Sequence, residues 1–169
     1  MPSSSPAAVR PSARLLALAP TGRVLLLRGH DPARFEIPIW HVPGGGVEEG
    51  EDFRAAAERE FREECGVAVV AEPLNWVREA QFSWGGVPVR TDERYFYARV
   101  DHEFDPVVDD RTESERDLLT AHRWFSVDDL RSVTEPELVA PPDLADRLAD
   151  LLAAGPPTVP VRLAGAVLP

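Results

Sequence analysis

Lysine is absent from this 169-residue chain, and all 18 of its basic side chains are arginines. That excludes Schiff-base chemistry, a phosphate-loop lysine and lysine general bases, leaving guanidinium as the only cationic side chain besides four histidines,. Cysteine occurs once, at Cys65, which excludes an internal disulfide and a cysteine-rich zinc site,. No apolar run approaches the roughly 18 residues that a membrane span requires,. The opening stretch MPSSSPAAVRPS lacks the apolar core of a secretory signal and reads as a disordered lead-in over residues 1–12,. These absences point to a cytoplasmic protein with no membrane partner. Positive charge is scarce as well, since 29 acidic residues leave a net charge of −11 and a pI near 4.8. A field of that sign repels polyanions and argues against a nucleic-acid partner, while a small metal-chelated phosphate ester stays compatible with it.

What is present suffices for one compact domain, expected over residues 13–155, because 44% of the chain is hydrophobic,. Apolar runs from Leu15 to Ala19 and Val24 to Leu27, split by Pro20-Thr21-Gly22, predict a hairpin,. His30 to Ile39 shows no period and reads as a loop. Trp40-His41-Val42 reads as a short strand entering Pro43-Gly44-Gly45-Gly46, where the backbone must turn sharply or lie close to something that a Cβ would obstruct,. Further strands are expected at Val67 to Val70, Trp76 to Trp84, Val87 to Val100 and His122 to Val127, giving a mixed sheet,. Asp109 to Glu115 reads as an exposed acidic loop, Asp128-Asp129-Leu130 as a helix start, and Pro142 to Ala154 as a helix packed by Leu144, Leu148, Leu151 and Leu152,. The tail over 156–169 ends in VRLAGAVLP; it could close the core, add a strand to a partner subunit in a homodimer, or stay mobile,.

Gly45 to Val67 is the stretch around which the rest is arranged. A helix beginning near Asp52 or Phe53 carries Glu60, Glu63 and Glu64 on one face, at spacings of three and four residues,. Three like charges this close repel by about 1 to 4 kcal/mol per pair near a surface, so a cation is expected to offset them unless the face is merely solvated. A hard divalent ion such as Mg²⁺ takes oxygen ligands of this kind together with substrate phosphates, and Glu51 is near enough in sequence to reach the same place. The plain alternative is a solvated acidic helix with Glu58–Arg62 and Arg59–Glu63 pairs. The opposite face carries Phe53, Ala56, Ala57, Phe61 and Cys65, an apolar stripe expected to pack on a sheet, with Asp52 as N-cap and Gly66 as the left-handed C-terminal residue,. Cys65 then reads as a small buried hydrophobe.

The intervals Gly45-x5-Glu51-x7-Arg59-Glu60-Phe61-x-Glu63-Glu64-x-Gly66-Val67 match the full signature of the Nudix hydrolases, and the chain resembles that family over these 23 residues. The resemblance implies an α/β fold, the Nudix α/β/α sandwich with a mixed β-sheet, and hydrolysis of a diphosphate linkage in a nucleoside diphosphate joined to another moiety. It implies Mg²⁺ or Mn²⁺ as cofactor, with Glu60, Glu63 and Glu64 as ligands, Glu51 as a supporting ligand, Arg59 as the residue that orients the glutamates, and Gly45 as a point of backbone turning. The general base is either Glu60 or Glu63 of the helix or a residue of the later acidic loop, Glu113 or Glu115.

The substrate lies outside this signature. Phe82-Ser83-Trp84-Gly85 fits neither an ADP-ribose nor a dinucleoside-polyphosphate pattern; Phe82 or Trp84 could stack a base, and Arg90 or Arg94 could clamp phosphate,. His30, His41, His102 and His122 have no metal-like spacing. A nucleotide-binding sensor on the same fold is the alternative, though it has less need of all three glutamates. An isoprenoid-diphosphate isomerase would need a cysteine in its cleft, and Cys65 lies in the helix instead.

Overall fold

A computed structural model of the protein describes residues 8–31, 34–107 and 119–165. Leu15 to Ala19 and Val24 to Leu27 are apolar at every position, as strands covered on both faces must be,. They form the centre of the sheet. In chain order the elements are β1 (Val9–Leu18), β2 (Val24–Asp31), β3 (Arg34–His41), β4 (Gly44–Gly46), α1 (Phe53–Cys65), β5 (Glu72–Trp84), β6 (Val87–Arg99), β7 (Leu119–Phe125), α2 (Val127–Ser132), β8 (Leu138–Ala140), α3 (Leu144–Ala154) and β9 (Val161–Arg162). The strand order is β8-β3-β2-β1-β6-β5-β9, with β4 also on β1 and β7 also on β2. Pairing is antiparallel except for β1–β6, β3–β8 and β5–β9, so the sheet is mixed as expected.

Alternation along β1 and β2 divides their side chains between two cores. Leu16, Leu18, Val24 and Leu26 join Leu130 of α2 and Leu144, Leu148 and Leu151 of α3 on one face. Ala13, Leu15, Ala17, Leu25 and Leu27 meet Ala56, Ala57, Phe61 and Cys65 of α1 on the other. Helices on both faces of a mixed sheet make the α/β/α sandwich.

Several local expectations are corrected. The loop expected over His30 to Ile39 is mostly strand: Gly29 pairs with Ile39 and His30 with Pro38. The proline is tolerated because β8 pairs only with Ile39, Trp40 and His41 on the other edge,. Val67 to Val70 is not a strand; Val67 and Val69 pack on the α1 core, Val70 is 72% exposed, and the next amide, that of Ala71, donates to Glu58 at 2.8 Å rather than to a neighbouring strand. Leu152 stands off the α3 stripe and is 46% exposed. At the front, β1 starts at Val9, inside the stretch expected to be a lead-in. Within the tail, Val161 to Leu163 add to the sheet and core, since β9 pairs with β5 and Leu163 is 2% exposed. The acidic loop with Glu113 and Glu115 lies outside the described residues.

Candidate active site

Helix α1 is fixed at both ends by the residues that its sequence suggests. The Asp52 carboxylate accepts from the Ala55 amide at 2.8 Å, an N-cap worth about 1 kcal/mol,. Gly66 has φ 74° and donates its N–H to Arg62 O at 2.9 Å, and a Cβ there would lie 1.9 Å from Val107 O. Ala56, Ala57, Phe61 and Cys65 are buried and anchor the helix, with Phe61 alone contributing about 1.5 to 3 kcal/mol of apolar burial,. Phe53 is half-buried beneath the Arg94 guanidinium, 5.6 Å from its ring centroid. The glutamates therefore face away from this core.

Arg59 is the cation around which they gather. Its Nε and Nη2 donate to the two Glu51 oxygens at 2.9 and 3.0 Å, and its Nη1 donates to Glu60 at 2.8 Å and Glu63 at 3.2 Å. Nη2 also donates to Gly46 O at 2.9 Å, tying the helix to β4. The paired hydrogen bonds from Arg59 hold Glu51 below the usual carboxylate range,. Burial pushes the Glu60 carboxyl up, with Glu63 adding like-charge repulsion against the pull of Arg59,. The expected Arg59–Glu63 pair is present, whereas Glu58 pairs with Arg54 at 3.4 Å rather than with Arg62. Among the described residues, no three carboxylates, imidazoles or thiolates converge at metal-holding distance.

The three glycines of β4 let backbone and carboxylates approach. Gly44 has φ 143°, and a Cβ there would lie 2.1 Å from Ala13 O. Its N–H donates to Glu64 at 2.8 Å. A Cβ on Gly45 would stand 2.6 Å from the carboxyl carbon of Glu60. Glycine here makes the space that Glu60 fills.

A buried ion network lies alongside. Glu93 on β6 is 1% exposed and accepts from Arg14 at 3.1 Å, Arg78 at 3.1 Å and the Tyr95 hydroxyl at 2.8 Å. Burial pushes its carboxyl up, but the two guanidiniums outweigh that and leave it below the usual range,. Arg14 Nη1 also donates to Gly44 O at 3.0 Å and Val42 O at 3.4 Å. His41, next to this network, is lowered to about 4 by burial and by the positive Arg14. Sequence reasoning missed these residues. The available signal was a charge at an inward position of an alternating strand: Arg14 two residues before Leu16, Arg78 two after Trp76, Glu93 two before Tyr95,.

Of the residues expected at the site, Glu51, Arg59, Glu60, Glu63, Glu64 and Gly45 come together. Arg90 and Phe82 do not join them; Arg90 sits opposite Gln81 and Phe82 opposite Val89. These positions run toward the Gly85-Gly86 turn, Arg90 being three residues and so about 10 Å of strand from Glu93,. Arg94 pairs with Asp92 at 3.3 Å besides covering Phe53. The Trp84 side chain, like Glu113 and Glu115, lies outside what is described.

The NUDIX domain family model matches residues 8–149. An RNA pyrophosphohydrolase of Dinoroseobacter shibae is 45% identical over 62 residues, covering 34% of this chain and 37% of that protein. The dihydroneopterin triphosphate diphosphatase of Escherichia coli is 37% identical over 94 residues, covering 56% of this chain and 54% of that protein. These matches thus span between about a third and half of the relatives' own lengths. Among solved structures, the MutT protein from Methanosarcina mazei superposes with a TM-score of 0.61 at 19% identity, over 89% of this chain and 97% of that one, which shows a shared fold.

Proposed function

The chain belongs to the Nudix family, and from that premise we propose that it hydrolyses a diphosphate linkage in a nucleoside diphosphate joined to another moiety, with Mg²⁺ or Mn²⁺ as cofactor. The observation that carries this reading is the Arg59 cluster, in which one guanidinium collects Glu51, Glu60 and Glu63 while the Gly44 N–H holds Glu64. The donors fit a hard divalent ion in kind, being all carboxylate oxygen, and the missing Cβ of Gly45 lets the Glu60 carboxylate lie against the glycine strand,. Glu60, Glu63 and Glu64 would hold the ion. Glu51, with both oxygens on Arg59, supports them from behind,. When bound, such an ion polarises the phosphoryl oxygens and makes a bound water more acidic.

The protein's own groups do the rest. Arg59 fixes the directions of three carboxylates and offsets their repulsion. The proton of the attacking water goes to a carboxylate, either Glu60 or Glu63 of the helix or Glu113 or Glu115 of the acidic loop. Release of nucleoside monophosphate or phosphate follows from cleavage of the anhydride bond. We place this activity in the cytoplasm, in keeping with the lone buried thiol,.

The test incubates purified protein and Mg²⁺ with a panel of nucleoside diphosphate derivatives, read by phosphate or nucleoside-monophosphate release. The names of the relatives add an RNA and dihydroneopterin triphosphate to that panel. Turnover of at least one member is expected, with a loss of about 100-fold or more in Glu63→Gln. No release from any member overturns the hydrolase reading. Full activity in Glu63→Gln overturns the role given to the helix.

A further inference from the structure

We infer that Arg14, locked by Glu93, is a positioning residue for Glu64 that acts through Gly44; this rests on the reading of Glu64 as a metal-holding carboxylate. The hydrogen bonds form one unbroken path. The backbone carbonyl of Ala164 accepts from Arg78 Nε at 2.9 Å, and Arg78 Nη1 donates to Glu93 Oε2 at 3.1 Å. Glu93 Oε1 accepts from Arg14 Nε and Nη2 at 3.3 and 3.1 Å. Arg14 Nη1 donates to Gly44 O at 3.0 Å, and Gly44 N–H donates to Glu64 Oε2 at 2.8 Å.

Each joint has a physical reason to transmit position. A strand of three glycines has little conformational preference of its own, so what grips its polar groups sets its orientation. Gly44 is gripped at both ends: Arg14 takes the carbonyl and Glu64 takes the N–H. Arg14 cannot swing away, because Glu93 holds two of its nitrogens from a site that is 1% exposed. Stability gives a weak account of such a group, since a buried acid between two guanidiniums is often no better than apolar residues of the same shape. Placement of a carboxylate gives a stronger one, for groups that orient metal ligands from behind set affinity by 10- to 100-fold.

The charge of Arg14 makes the inference testable by sign. Arg14 and Glu64 attract one another through space, so charge alone says that removing Arg14 frees Glu64 for a metal and tightens binding,. Positioning says the reverse. The experiment titrates the full chain with Mn²⁺ alone, reading free ion by electron paramagnetic resonance, for wild type, Arg14→Gln, Arg14→Lys and Tyr97→Phe. Tyr97 sits on β6 with Glu93 but bonds Glu72, outside the path.

The expected result is a Kd for Mn²⁺ about tenfold higher in both Arg14 variants and within twofold of wild type in Tyr97→Phe. Should Arg14→Gln fail to fold, Arg14→Lys, which keeps the charge but cannot bridge Glu93 and Gly44, carries the comparison. Exchange of the Gly44 amide proton, followed by NMR without metal, is expected to quicken about tenfold in the same variants. An unchanged or lower Kd, or unchanged Gly44 exchange, with normal wild-type binding overturns the positioning role alone. A wild-type chain that binds no Mn²⁺ overturns the metal reading beneath it.

Discussion

Replacing Gly45 by alanine separates the site from the fold that carries it. The added Cβ would lie 2.6 Å from the Glu60 carboxyl carbon, and ordinary contact starts at 3.4 Å, so the carboxyl group must retreat by about 0.8 Å. That displacement breaks the 2.8 Å bond from Arg59 Nη1, because nothing else needs to move first,. The backbone accepts the change, since Gly45 is not among the residues with positive φ. Lower freedom in the unfolded chain favours alanine by about 0.4 to 1 kcal/mol, which roughly cancels the crowding. Catalysis has no such tolerance. A shift near 1 Å in a positioned group can cost about 100-fold, equal to about 2.7 kcal/mol of barrier. Gly45→Ala is therefore expected to unfold in urea within about 1 kcal/mol of wild type while its kcat/KM falls about 100-fold. Gly44→Ala should do the opposite first, because its φ is 143° and its Cβ would meet backbone oxygen at 2.1 Å; it is expected to lose several kcal/mol of stability,. A folded Gly45→Ala protein with kcat/KM within fivefold of wild type would refute the reasoning.

Three further outcomes follow from the same geometry. Arg59→Lys keeps the charge but loses the fork that spans Glu51, Glu60, Glu63 and Gly46, so Mn²⁺ affinity is expected to fall about tenfold or more in the titration described above,. His41 stays neutral in the folded chain down to about 4 but takes a proton near 6.5 when unfolded. Stability is then fully present above 6.5 and declines as pH falls toward 4, by up to about 3 kcal/mol, and urea melts at pH 7 and pH 5 should show a decline that His41→Gln flattens,. Phe61→Ala empties the contact between α1 and the sheet and is expected to cost about 3 to 5 kcal/mol in the same melts,; a loss under 1 kcal/mol would mean that α1 is held by something other than its stripe.

The fold was legible wherever a short window held the whole cause. Asp52 and Gly66 bound their helix with residue types whose capping chemistry is local, and the apolar runs on either side of Pro20-Thr21-Gly22 announced the β1–β2 hairpin,. Misreadings arose where a distant partner decided. Val67 to Val70 reads as a strand, but among the described residues no strand pairs with it, and Glu58 takes the following amide instead. His30 to Ile39 has no period of its own, and what makes most of it strand is the pairing of β3 to β2, with Gly29 opposite Ile39 and His30 opposite Pro38. The tail shows the converse, as the two residues of β9 are ordered by β5 and the stretch ahead of them is held by Asn75, which donates to Pro157 O at 2.8 Å.

The same distinction runs through the site. Glu51, Arg59, Glu60, Glu63 and Glu64 sit within 14 positions, so their meeting is decided by one helix and one loop and can be read from spacing,. Arg14 and Glu93 are 79 residues apart, joined only because β1 and β6 run parallel with Ser12 opposite Glu93 and Arg14 opposite Tyr95. Nothing local in either strand says that the other exists. Each strand does say that it carries a charge where its alternation calls for an apolar residue, and a lone buried charge is too costly to stand. Two such violations of opposite sign on different strands predict one another: the strands that carry them must lie side by side in the register that brings the charges into contact. Arg78, a third, marks β5 as the next neighbour of β6, which is where the sheet places it. The polar misfits of an otherwise apolar sheet therefore carry the long-range information that its hydrophobic pattern lacks, and here they lead from the C-terminal segment to the glycine strand beside the glutamates.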